Sequence, residues 1–306
     1  QISKFESSIA KICNSKYAVA MNSGTDALTI ALHLLGVRRG DEVITPPNSF
    51  IASTAVIIHL GAKPVFVDVK EDQNIDENLI EKKITKKTKA IMPVHLYGIP
   101  CNMKEIYAIA KKYNLLVIDD AAPALGATSN NKKIGSKSDF ACFSFQGAKM
   151  ITTGEGGMLV TNNLNFFKKA QLYSEHCRNP KSPLDAIGIG YKYKMSNLQA
   201  ALGFAQLERI DTLIQKKRLI NKWYCGHLSG IDKIRVTKDP KYGKGIHWMT
   251  SIELNDFTRS NRNKFIKLLR EKNIDSRPVF SPMSSFPMFK TKKLNFNAYK
   301  IGYSSI

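Results

Sequence analysis

Lys149 closes the segment Phe143-Ser144-Phe145-Gln146-Gly147-Ala148-Lys149, five residues after Ser144 and just past a short apolar run. A lysine so placed can form a Schiff base with an aldehyde if its amine is neutral, which takes a partly desolvated site or a cationic neighbour. Ser144 can offer its hydroxyl to a phosphate. By itself the pattern more often marks a lysine in solvent. Val117-Ile118-Asp119-Asp120-Ala121-Ala122 ends another apolar run with two carboxylates. A carboxylate facing a pyridine nitrogen keeps that nitrogen protonated and makes the ring an electron sink. The same pair also suits a helix N-cap or a metal ion. Asn22-Ser23-Gly24-Thr25-Asp26-Ala27-Leu28 reads as a strand-to-helix junction, whose N–H groups and hydroxyls fit a phosphate or an ordinary cap. Phe50 follows one more run, and its ring can stack on a flat cofactor or fill a core. Together they make a phosphate cradle, a stacking ring, a ring-nitrogen acid and a Schiff-base lysine, in the order expected of one cofactor.

The elements that must position these residues alternate in type. Short apolar or β-branched runs at 17–21, 42–45, 64–69, 90–94, 115–118, 140–145 and 158–160 read as strands. Apolar periodicity predicts helices over 23–35, 49–60, 75–84 and 103–113, with Gly36 and Gly61 as stops. Such alternation specifies an α/β fold with a mostly parallel sheet covered on both faces. Ligands of such sheets lie beyond the carboxyl ends of the strands, which is where all four motifs fall. From Ser196, a candidate N-cap, a single long helix is expected to about Leu228, ended by Ser229-Gly230. A smaller α/β segment follows, with strands at 247–254 and 277–280 and a helix over 260–272 between them. The expected division is a large domain, 1–210, and a small one, 211–306.

Composition sets outer bounds. The chain has 306 residues, 43% hydrophobic and 23% charged, an ordinary globular balance. No apolar run approaches the ~20 residues that span a membrane, and the N-terminus carries no signal-peptide pattern. A cytoplasmic protein without a membrane partner is therefore expected. The five cysteines form no C-x-x-C pair, which argues against a disulfide framework or a zinc site, and no metal is expected. Cys13 and Cys142 lie in apolar contexts and read as buried thiols. Net charge is +21; residues 1–150 hold 19 Lys/Arg against 14 Asp/Glu, and residues 151–306 hold 27 against 11. That basic half fits an anionic small substrate, a lysine-rich solvated surface, or a non-catalytic, nucleic-acid-binding regulator. Its basic residues are scattered, without a nucleic-acid-binding motif, so no nucleic-acid partner is expected.

The strings NSGTDAL (22–28), DDAAPALGA (119–127), SFQGAKMITTGEGGMLVT (144–161) and GYKYKMSNLQAALGFAQLERID (190–211) carry a resemblance over nearly the whole chain. The sequence resembles the sugar-nucleotide aminotransferases called the DegT or StrS family, which share the aspartate-aminotransferase fold (fold type I). The resemblance implies pyridoxal 5'-phosphate as cofactor. Lys149 would form the Schiff base and move the protons, Asp120 would hold the ring nitrogen, and Phe50 would stack on the ring. Ser23, Gly24, Thr25 and Ser144 would hold the phosphate, with Lys192 reaching it across a homodimer interface. IHWMTSIEL (246–254) and SRPVFSPMSSFPMFK (276–290) look most like the branch making 4-amino-4,6-dideoxy sugars, such as GDP-perosamine synthases, which makes His247 and Arg277 substrate-side candidates. The implied reaction is a ping-pong transfer from L-glutamate to a nucleotide-linked 4-keto-6-deoxy sugar, with UDP- or dTDP-linked sugars as the alternative. Related dehydratases carry a histidine in place of Lys149. Three departures from the family pattern stand out. Pro123 replaces a Gln, His or Glu and has no side-chain donor. Lys192 replaces an Asn, and both ends are shorter than is usual.

Overall fold

The computed structural model describes residues 1–289 and 296–306. Its centre is a sheet of seven strands: β1 (Tyr17–Met21), β2 (Glu42–Thr45), β3 (Lys63–Phe66), β4 (Thr88–Ile91) and β5 (Leu116–Asp120). After a small hairpin of β6 (Thr128–Ser129) and β7 (Lys132–Lys133), β8 (Phe140–Ser144) and β9 (Gly157–Thr161) complete it. The order is β1-β9-β8-β5-β4-β2-β3, and only β9 runs antiparallel to its neighbours. The α/β architecture with a mostly parallel sheet is as expected.

Both faces of the sheet are buried, and the strands divide their residues between them at period two. Ile44, Val117 and Phe143 join Phe5 and Ile9 in one core, whereas Val43, Ile118, Phe140 and Cys142 join Leu28 and Ile30 in the other. Helices α1 (Ile2–Cys13) and α4 (Met103–Tyr113) cover the first face; α2 (Gly24–Leu34), α3 (Ala52–His59) and α5 (Leu164–Ser174) cover the second. Gly36 and Gly61 follow α2 and α3 at φ 75°, in the left-handed region that ends a helix at little cost to glycine. Cys13 and Cys142 are buried thiols, as expected.

Four expected elements take another form. The helix anticipated over 75–84 is two 3-10 turns, Glu77–Leu79 and Glu81–Lys83, the first capped by the Asp76 side chain. The spacing of Ile75, Leu79, Ile80 and Ile84 fits a helix, but the local cap satisfies the backbone in a tighter turn. The long helix from Ser196 is two helices, α6 (Asn197–Leu207) and α7 (Ile210–His227), broken at Arg209, whose φ is −113° and ψ 10°. Ser196 does cap α6, in a full capping box with Gln199. Beyond a hairpin of β10 (Arg178–Asn179) and β11 (Ser182–Ala186), the C-terminal part holds β12 (Ile234–Val236), β13 (Gly243–Lys244), β14 (Ile252–Leu254), α8 (Arg259–Glu271) and α9 (Phe296–Ser304). The strand expected over 247–254 shrinks to its last three residues because only these find a partner, β12. Residues 277–280 pair with no strand among the described residues. Of the 276–290 segment, Lys290 lies outside the described residues.

Candidate active site

The carboxyl ends of β5 and β8 and the start of α2 converge on Lys149. Asp120 is the last residue of β5 and is 3% exposed. Its Oδ2 accepts from Ser53 Oγ at 2.6 Å, and its Oδ1 accepts from the Ala122 N–H at 3.3 Å. Ser49 Oγ lies 2.7 Å from Ser53 Oγ. An ionised carboxylate only accepts, so the chain of donors runs Ser49 to Ser53 to Asp120. Burial pushes the Asp120 carboxyl above its ordinary value, and the Ser53 hydrogen bond and the positive charge of Lys149 pull against it. The preceding residue, Asp119, faces the other way and is fully buried, 3.8 Å from His95 Nε2. His95 Nδ1 accepts from the Cys101 N–H, so a neutral ring carries its proton on the side of Asp119.

Lys149 sits on the loop between β8 and β9. Burial brings its amine down to about 8, against the pull of the Asp120 carboxylate. An amine of that strength is half neutral near pH 8, so a useful fraction is in the form that attacks an aldehyde. A tight turn shapes the loop: the Lys149 N–H donates to Gln146 O, and Gln146 Oε1 accepts from the Ala148 N–H. Ala122, Pro123, Ser144 and Ile246 line a small cavity with Lys149. Pro123 thus stands beside the lysine without a polar side chain to offer.

Ser23 caps α2, its Oγ accepting from the Asp26 N–H at 3.0 Å. Gly24 opens the helix against Ser144; a Cβ on it would stand 3.0 Å from Ser144 Cβ. The helix N-terminus, with exposed Thr25 in its first turn, and the Ser144 hydroxyl therefore share one corner of the site. The backbone of Lys192 and Tyr193 runs past it: Asn22 Nδ2 donates to Lys192 O at 2.9 Å, and the Asn22 N–H donates to Tyr193 O. The Lys192 side chain is exposed.

Phe50 is 61% exposed, with Phe280 as ring neighbour at 6.2 Å. Its loop is fastened to the C-terminal part by Asn48 Nδ2, which donates to Ala298 O, and by the Met283 N–H, which donates to Pro47 O. Phe280 stacks on Tyr97, and Tyr97 on Trp248, so an aromatic row runs from Phe50 to Lys149. His247 and Arg277 are not brought to the lysine in this way. His247 is buried with Nε2 3.0 Å from Asp239 Oδ1, and the Arg277 side chain is 84% exposed beside Asp275.

Sequence reasoning missed Ser53, Ser49 and Trp248. Ser53 lies in the first turn of α3 and Ser49 in the loop before it, so no helical period links them, and Trp248 is one of only two tryptophans in the chain. A depressed lysine amine, a buried carboxylate and a helix N-terminus whose Gly24 lies close against Ser144 are the groups that an aromatic phosphorylated aldehyde requires, and they fit pyridoxal phosphate.

The profile of the DegT/DnrJ/EryC1/StrS aminotransferase family matches residues 1–300. The chain is 43% identical to a GDP-perosamine synthase of Caulobacter vibrioides over 94% of this chain and 78% of the relative. It is 41% identical to that of Escherichia coli O157:H7 over 95% and 79%. The PLP form of a putative sugar aminotransferase of Streptococcus pneumoniae, Spr1654, superposes with a TM-score of 0.92 at 29% identity, covering 99% of this chain and 84% of that one. PseC of Helicobacter pylori, an aminotransferase of pseudaminic acid biosynthesis, gives 0.94 at 27%, covering 99% and 84%. The chain belongs to the DegT/DnrJ/EryC1/StrS family and is a pyridoxal-phosphate-dependent aminotransferase.

Proposed function

We propose that the protein transfers the amino group of L-glutamate to the keto carbon of a nucleotide-linked 4-keto-6-deoxy sugar, in the manner of a GDP-perosamine synthase. The observation that carries this reading is Lys149, half-buried, with its amine brought down to about 8 beside the buried Asp120, in a chain 43% identical to such a synthase. Bound pyridoxal phosphate supplies the aldehyde and the electron-withdrawing ring that stabilises a carbanion.

The chain's own groups do the rest. Lys149 Nζ would hold the cofactor's aldehyde carbon and, when free, would accept the proton from the carbon of the amino donor in one half and return one to the sugar carbon in the other. Asp120, oriented by Ser53, keeps its charge toward the ring nitrogen. Ser23, Gly24, Thr25 and Ser144 hold the phosphate at the positive end of α2, where N–H groups point outward. Phe50 covers the ring face. Lys192 adds a positive charge to the phosphate of a partner subunit in a homodimer, whereas His247 supports the substrate side through Trp248. Arg277, free in solvent but for Asp275, is available to a diphosphate. Residues 1–210 form the cofactor-binding unit and 211–306 the smaller one.

The test is visible absorbance with added pyridoxal phosphate, before and after borohydride, followed by peptide mapping. A reduced adduct on Lys149 is expected, and GDP-, UDP- and dTDP-linked keto sugars are then assayed with glutamate. An adduct on another lysine, or none in folded protein, would overturn the assignment; a UDP or dTDP preference would replace the GDP reading.

A further inference from the structure

Trp248 stands against Lys149 in two ways at once. Lys149 Nζ lies 4.0 Å from the centroid of the indole ring. The indole Nε1–H donates to Ala148 O at 2.8 Å. The ring thus meets the lysine's side-chain nitrogen and is fastened to the peptide that carries that lysine.

The backbone that presents the ring is itself held. His247 has φ 51°, a left-handed conformation sparsely populated by side-chain-bearing residues. Its Nε2 meets Asp239 Oδ1 at 3.0 Å, and the Gly245 N–H donates to the same oxygen at 2.6 Å. Burial alone would lift the Asp239 carboxyl, but these hydrogen bonds hold it below its ordinary value, so it is an ionised acceptor. Arg218 Nε donates to Gly245 O at 2.8 Å, and the Ile246 N–H donates to Gly98 O at 2.9 Å. Gly98 packs closely under it: a Cβ there would stand 2.6 Å from Ile246 Cγ1 and 3.2 Å from the Trp248 backbone nitrogen.

We propose that Trp248 is a positioning residue for Lys149: its indole face seats the lysine nitrogen whenever that nitrogen is not bonded to the cofactor, and the Asp239–His247 pair fixes the strap that presents the ring. The proposal rests on the reading of Lys149 as the reacting amine. In a transfer of two halves the lysine would be free from its displacement by the amino donor until the amino product leaves, and in each half it would have to move a proton from a defined place. A free four-carbon side chain has many rotamers, and a π face over the nitrogen selects one of them while favouring its protonated form. Asp120, from β5, is the charged group whose field reaches Lys149; the remaining cavity neighbours named above are uncharged.

The two tryptophans make the contact readable. Trp223 is 55% exposed, so in the full-length Trp223→Phe chain the emission belongs to Trp248 alone. Without cofactor, that emission is expected to change as Lys149 loses its proton, and the change is expected to vanish on adding Lys149→Met. His247, Asp239 and Tyr97 are the other titratable groups around the ring, and Lys149→Met leaves all three in place. The second readout is competitive acetylation of Lys149 against pH, resolved by peptide mass spectrometry. Trp248→Leu should move the midpoint down by about one pH unit, the size of a desolvated cation–π contact. Trp248→Phe should recover part of the shift, and His247→Ala should shift it the same way as Trp248→Leu.

An emission transition that survives Lys149→Met would overturn the proposal, as would a midpoint unchanged in folded Trp248→Leu. If Trp248→Leu does not fold, the emission result and the Trp248→Phe midpoint decide the matter. Both readouts need no cofactor. A failed borohydride adduct therefore removes the functional reading alone, and an intact adduct with unmoved midpoints removes the positioning role alone.

Discussion

Ser53→Ala tests the electrostatics under the cofactor site most directly. Ser53 donates the shortest hydrogen bond to Asp120, 2.6 Å, inside a fully buried pocket. Removing the hydroxyl costs a carboxylate one charge-assisted hydrogen bond, about 1.5–3 kcal/mol. That loss raises the Asp120 carboxyl further above where burial already places it. The sign follows from proton counting. In the unfolded chain the carboxyl ionises near its ordinary value of about 3.9. In the folded chain it ionises later, so between the two values the folded state binds more protons and stability falls as pH rises. In the variant this fall continues to higher pH before it levels. Urea unfolding of the cofactor-free protein at a series of pH values should therefore show the two chains nearest in stability in acid, with a gap that opens toward neutral pH to about 1.5–3 kcal/mol. A gap that is constant with pH, or widest in acid, would refute the hydrogen bond as the support of the Asp120 charge.

Other consequences are open to direct measurement. Lys149→Ala should lower the rate of amino transfer by at least the 10²–10⁴-fold typical of a positioned proton carrier, read as kcat with added external amine as the rescue control. Capture of pyridoxal phosphate by the cofactor-free chain should speed up about tenfold per pH unit below about 8 and level off above it, because only the neutral Lys149 amine attacks; stopped-flow absorbance reads this. Gly98→Ala should destabilise the fold by more than about 1–3 kcal/mol in denaturant titration, since φ is 84° and the added carbon meets Ile246 and Pro123. Gly24→Ala gains helix propensity yet crowds Ser144, so it should weaken cofactor affinity more than it lowers Tm.

Much of the sheet was legible because its strands are short β-branched or apolar runs closed by glycines or prolines, with both faces buried. The site motifs were legible for the same reason: Ser23, Asp120, Ser144 and Lys149 lie at or just past strand ends, so placing the strands placed them. What escaped was set by partners distant in sequence. Helix α1 carries Phe5, Ile9 and Cys13 at helical spacing, but without a side-chain cap to announce it. The break at Arg209 leaves the apolar period intact across it, so periodicity cannot show it. Residues 247–251 have strand-like composition, and it is His247's attachment to Asp239 that turns them from the sheet. Trp248 reaches Lys149 across 99 residues of sequence, and Ser53 reaches Asp120 across 67, distances over which local patterns are silent.

The placement of β1 at the sheet edge, with β9 as its sheet neighbour, bears on how the chain is made. Tyr17 pairs with Thr161 and Met21 with Gly157, so of the seven strands of this sheet the earliest made waits for the latest. At roughly 5–20 residues per second, that interval is on the order of ten seconds. Throughout it an apolar strand and the start of α2 lack their backing, since the Gly157 backbone that packs against Ser23 and Gly24 has not yet been synthesised. The corner that holds phosphate is therefore among the last parts of the large sheet to close during translation. A nascent chain stalled before residue 157 should expose the segment 17–21 to chaperones, whereas one stalled with residue 161 outside the exit tunnel should hide it.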